Sequence, residues 1–156
     1  MSAFLLSVHV LAAILTVGPV AIAASMFPRF ARLALAAPDE PGRVAAVRIL
    51  HRITRVYAVI GVLVPVFGLA TAASLGVLGD RWLIVSMVLT VAAAAMLIAL
   101  ILPGQKRVVG ALDTGESVPG GAARRLGMLT GVFNLLWAIV VVLMIYRPGS
   151  TTGVGR

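Results

Sequence analysis

The chain contains no cysteine. Disulfides, thiolate metal sites and thiol nucleophiles are therefore excluded. Acidic residues are scarce too: Asp39, Glu40, Asp80, Asp113 and Glu116 are all there are. One lysine stands against twelve arginines, and histidine occurs twice, as His9 and His51. Charged residues make up 12% of the chain, against about a quarter in a soluble domain. What is present instead is apolar. Hydrophobic residues reach 61%, and the mean hydropathy is +1.10. This composition describes a single membrane domain of 156 residues.

Four runs are long enough to cross a hydrocarbon core of about 30 Å, which takes about 20 helical residues. They cover residues 3–27, 56–78, 82–102 and 126–146, and none holds Asp, Glu, Lys or Arg. Their residues do not alternate polar with apolar, so the runs read as helices and not strands. The expected fold is an all-α integral membrane four-helix bundle, with residues 147–156 as a flexible tail. Ala21-Ile22-Ala23 resembles a signal cleavage site. However, no basic residue precedes the apolar run, and the run is too long for a signal peptide. A retained first span is expected.

The net charge of +8 is unevenly placed. Arg29, Arg32, Arg43, Arg48, Arg52 and Arg55 lie between the first two spans. Lys106, Arg107, Arg124 and Arg125 lie between the last two. The positive-inside rule puts both segments in the cytoplasm and both termini outside. With arginines flanking bilayer-length runs, the expected partner is an anionic lipid surface, not nucleic acid. Residues 43–55 have helical spacing, with Arg48, His51, Arg52 and Arg55 at i, i+3, i+4 and i+7. This predicts a basic amphipathic cytoplasmic helix leading into the second span. Arg48, Arg52 and Arg55 would meet headgroup phosphates or an acidic partner. The Arg-, Ala- and Gly-rich composition points to a bacterial protein of the cytoplasmic (plasma) membrane.

Inside the spans, small residues recur at helical spacing: Gly68, Ala72 and Gly76 in the second, and Gly127, Gly131 and Ala138 in the fourth. Such stripes let helices approach closely, so they are expected to face one another and to mark helix packing. Separately, a homo-oligomer or a membrane-protein partner is expected. Pro19 and Pro65 each remove a backbone donor and predict kinks. His9 shares a helical face with Ala12, Ala13, Thr16 and Val20, which points it into the bundle. Thr71, Ser74 and Ser86 fall at similar depth as hydrogen-bond partners, and Asn134 lies nearer the midplane. An ionisable group within a span is a functional candidate by default. With all five acids outside the spans, a proton-coupled carrier lacks its usual carboxylate. Two readings stay open for His9: a packed polar residue, or a ligand to haem or copper.

The stretch His-Val-Leu-Ala-Ala-Ile-Leu-Thr-Val-Gly, from His9 to Gly18, resembles the first-span motif of several small bacterial membrane families. The chain is similar in length and span count to the four-span proteins of domain-of-unknown-function group 2269. It also resembles copper-resistance D-type proteins and membrane-type protoporphyrinogen oxidases. Phe27-Pro28-Arg29 resembles the Leu-Pro-Arg that closes the oxidases' first span, although it follows His9 by about a turn more. Thr16 stands where those families often carry tryptophan. The resemblance implies a function centred on His9. The expected activity is that of an accessory or binding component, with a haem- or copper-linked redox or transport protein as the alternative.

Overall fold

The computed structural model describes residues 2–149. Most of the expected tail lies outside the described residues. Six α-helices and a short π-helical segment form four rods. α1 (Ser2–Ala36) is the first rod. α2 (Pro41–Ile60) and α3 (Leu63–Leu75) make the second. α4 (Arg81–Met96), the π segment Leu97–Ile101 and α5 (Leu102–Thr114) make the third. α6 (Ala122–Tyr146) is the fourth. No described residue is in a strand. All four rods are long and apolar enough to cross a membrane. The chain is built as a multi-pass membrane protein.

The helices outrun the apolar runs that announce them. α1 passes through Pro19 and Pro28 and stops only at Ala36. The third rod continues from Leu102 to Thr114, through residues whose basic composition suggests a loop. Rods of 34 and 35 residues span about 50 Å at a rise of ~1.5 Å per residue, so about 20 Å stands clear of a hydrocarbon core. The reason is a second core beyond the apolar runs. Phe27, Ala31 and Ala34 of α1 meet Val44, Val47 and Leu50 of α2, Val108 of α5, and Ala123 and Leu126 of α6. Phe27, Ala31, Ala34, Val47 and Val108 have no exposed surface. The amphipathic helix at residues 43–55 therefore buries its apolar face on α1 rather than laying it on a membrane.

A second cluster fills the middle of the bundle, with Val20, Ala24, Ala93, Leu97, Ile101 and Phe133. A third, of Ala72, Trp82 and Leu83, closes the end away from the arginine-rich segments. There the Trp82 indole donates to Asp80 Oδ2 at 2.9 Å, and the Arg147 guanidinium lies 5.4 Å from the ring centroid. Trp82 is thus buried beneath an arginine.

Two backbone irregularities position the polar groups. The second rod breaks at Gly61 and Val62. Pro65 has no N–H, and the Gly61 carbonyl instead accepts from Val64 N–H at 3.1 Å. In the third rod, Leu102 N–H reaches back five residues to the Leu97 carbonyl. This wide turn inserts one extra residue into the helix. Packing follows the order second, first, fourth, third rod. The second and third rods meet mainly where α2 touches α5, while α3 packs chiefly on α1.

Candidate functional site

His9 is buried, at 8% exposure, on the α1 face that carries Thr16 and Val20. Its Nδ1 lies 2.9 Å from the backbone carbonyl of Val64. A carbonyl only accepts, so the bond requires hydrogen on Nδ1 and leaves Nε2 with the lone pair of the neutral ring. The ring lies against Gly68. A Cβ built there would stand 2.9 Å from His9 Cε1 and 3.3 Å from Nδ1. The glycine at 68 is therefore a seat for the imidazole. The seat and the carbonyl are one turn apart on α3, just beyond the Gly61–Val62 break.

The hydroxyls expected around His9 do something else. Thr16 bonds to the Ala12 carbonyl, Thr71 to Phe67, Ser74 to Thr71 and Ser86 to Trp82, at 2.6–2.8 Å. Each closes on its own helix, a local bond always within reach of a short hydroxyl. The cross-helix partner of His9 is instead main-chain, with no hydrogen bond to Thr16, Thr71, Ser74 or Ser86.

Asn134 is half-buried on α6 and donates through Nδ2 to Ser25 Oγ of α1 at 2.9 Å. Its Oδ1 is buried without a partner, as are Thr130 Oγ1 and Trp137 Nε1. The small-residue stripe of α6 is turned the other way from the expectation. Gly127, Gly131 and Ala138 are exposed, and Ala123, Leu126, Thr130, Phe133 and Val140 face the bundle. Leu126 and Phe133 take the core positions of α6, and the stripe lies on other faces of the helix. In the second rod Ala72 is buried, but Gly76 is the left-handed cap of α3 and belongs to no packing stripe.

The basic helix also differs in detail. Arg48 pairs with Asp113 across the rods, so it is held by a carboxylate of the chain itself. Arg52 and Arg55 are exposed. His51 is not a plain member of the basic face. It is half-buried, with Nδ1 3.1 Å from Oε1 of Gln105. Gln105 is 1% exposed and reaches Thr54, itself fully buried, at 3.5 Å; Thr54 donates to the Leu50 carbonyl at 2.9 Å. Gln105 is the chain's one glutamine. Its signal lay in helical spacing to Val108 just past an apolar run, in a segment read as a loop.

The two histidines are not a pair. His51 precedes Gly68, the seat of His9, by 17 residues along one rod, about 25 Å at ~1.5 Å per residue. Among the described residues no group of three His, Cys, Asp or Glu side chains could hold a metal. Met96 packs in the central cluster and Met144 beside Trp82. Met26, Met87 and Met128 are exposed. No family model, curated protein or solved structure matches the chain.

Proposed function

We propose that this is a non-enzymatic binding or accessory component of the bacterial cytoplasmic membrane, with both termini outside and His9 as its ligand-binding residue. The observation that carries the reading is the His9–Val64 bond. A backbone carbonyl on one ring nitrogen fixes the tautomer and aims the other, as is usual for histidines that bind metals. That detail favours the second reading, a haem- or copper-linked redox or transport protein. Were haem the ligand, His9 would be the residue that holds its iron, through the ring nitrogen left free by Val64. The described residues do not fit copper held by a cluster of protein ligands. At the opposite end Arg52 and Arg55 face the anionic headgroups, while Arg48 is engaged by Asp113.

An absorption spectrum of protein purified in mild detergent tests the His9 reading. A Soret band is expected in the wild type and its loss in His9→Ala. A colourless, metal-free wild type overturns both cofactor versions. The orientation has its own test. A reporter active only outside the cytoplasm, fused to the C-terminus, is expected to be active. An inactive reporter, with a cytoplasmic one active in its place, reverses the topology.

A further inference from the structure

The partners of buried Gln105 fix how its amide is turned. Thr54 Oγ1 already donates to the Leu50 carbonyl, so it is left to accept, and the Gln105 amide nitrogen lies on that side. The amide oxygen therefore faces His51, 3.1 Å from Nδ1. That oxygen only accepts, so Nδ1 carries hydrogen. Nε2 is the nitrogen left over. It has no hydrogen-bond partner among the described residues, and it is not among the buried side-chain atoms that lack one. It therefore opens onto the surface of the half-buried residue. A proton added to His51 goes to Nε2 and leaves the bond to Gln105 intact, because Nδ1 donates in both the neutral and the charged ring. The charge changes at the surface while the buried network stays as it was.

The surroundings of Nε2 are cationic. Arg48, Arg52 and Arg55 share the helical face of His51. On α5 the exposed charged residues are Lys106, Arg107 and Asp113. α1 meets α2 through Phe27, Ala31 and Ala34, and its Arg29 and Arg32 are exposed. Asp113 is taken by Arg48, and Glu40 by Arg43. Among the described residues no carboxylate pairs with His51, Arg52 or Arg55. Depth narrows the choice of anion. His51 precedes Val56, where the second apolar run begins, by five residues, about 7 Å at ~1.5 Å per residue. Gln105 follows Leu102, where the third run ends, by three. A headgroup layer is about 5–8 Å deep, so two separate rods place this pair among lipid phosphates.

We propose that His51, with Arg52 and Arg55, binds the phosphate of an anionic lipid headgroup, and that protonation at Nε2 tightens the grip. Gln105 is the positioning residue that turns Nε2 outward. Imidazole is the side chain whose charge changes between about pH 5 and 8, whereas a lipid phosphodiester stays singly negative throughout. A charged ring adds a charge-assisted hydrogen bond to that phosphate, so binding strengthens as pH falls. This rests on the reading of Arg52 and Arg55 as headgroup contacts, and names the group that makes the contact respond to pH.

Protein in mild detergent and phosphate-free buffer is titrated with phosphatidylglycerol at about pH 5.5 and about pH 8, with binding read by microscale thermophoresis. The wild type is expected to bind about fivefold tighter at the lower pH, with phosphatidylcholine indifferent to pH. His51→Gln is expected to bind equally at both, with the wild type's affinity at the higher pH. Gln105→Leu is expected to narrow the ratio and spare the affinity at the higher pH, which a damaged fold would not do. Arg52→Gln combined with Arg55→Gln is expected to weaken binding at both and keep the ratio. A pH-indifferent wild type, or a ratio that survives His51→Gln, overturns the proposal; the headgroup reading then stands if the double arginine variant still loses affinity. No preference for phosphatidylglycerol over phosphatidylcholine at either pH overturns both. Inorganic phosphate binding alone with the same ratio overturns the lipid as the source of the phosphate.

Discussion

Gly68→Leu is expected to destabilise the protein by about 2–3 kcal/mol in an SDS unfolding titration. The cause is specific. The Cβ alone would stand 2.9 Å from His9 Cε1, closer than carbon atoms pack. His9 cannot simply swing aside, because its Nδ1 is bonded to Val64 at 2.9 Å and the ring is buried. Moving it forfeits that bond, for a further ~1 kcal/mol. Gly68→Ala provides the sharper measurement. In a double-mutant cycle with His9→Ala, the alanine is expected to cost about 1 kcal/mol more when the imidazole is present than when it is gone. If Gly68→Ala costs the same in both backgrounds, the ring does not sit on Gly68 and His9 loses its fixed aim.

Phe27→Ala is expected to produce the largest loss, about 3–5 kcal/mol. Phe27 has no exposed surface and joins all of α1, α2, α5 and α6 within one cluster. Truncation leaves a cavity where four helices converge, and lipid cannot fill a space enclosed by protein. By contrast Phe4, which is 72% exposed, is expected to tolerate alanine within about 0.5 kcal/mol. Similar losses at the two positions in the same titration would show that the second core, beyond the apolar runs, is not packed as described.

The four spans are legible in the sequence because bilayer-length runs without charge have one physical solution. Their ends are not legible. Residues 29–36 and 103–114 look like loops because they carry charge and follow proline. Yet Ala31, Ala34 and Val108 continue the buried stripes at helical spacing and keep the rods intact. The inward face of α1, with His9 and Thr16, follows from its small residues. The partner of His9 does not follow, since a backbone carbonyl 55 residues away has no side chain to mark it. The α6 stripe misleads for a related reason. Small residues signal close approach, but do not say whether the neighbour is within the chain or outside it. Gln105 is missed because its inward placement depends on a helix that composition alone does not reveal.

The break at Gly61–Val62 has a mechanical meaning. α3 is a 13-residue lever hinged at that break. It is joined to α4 by a short turn and packed chiefly on α1. Among the described residues, the side-chain hydrogen bond that fastens the lever to another rod is His9 to Val64. His9 is thus a latch as well as a ligand candidate. Drawing the imidazole away from Val64 would cost α3 that bond and leave it held by its packing on α1.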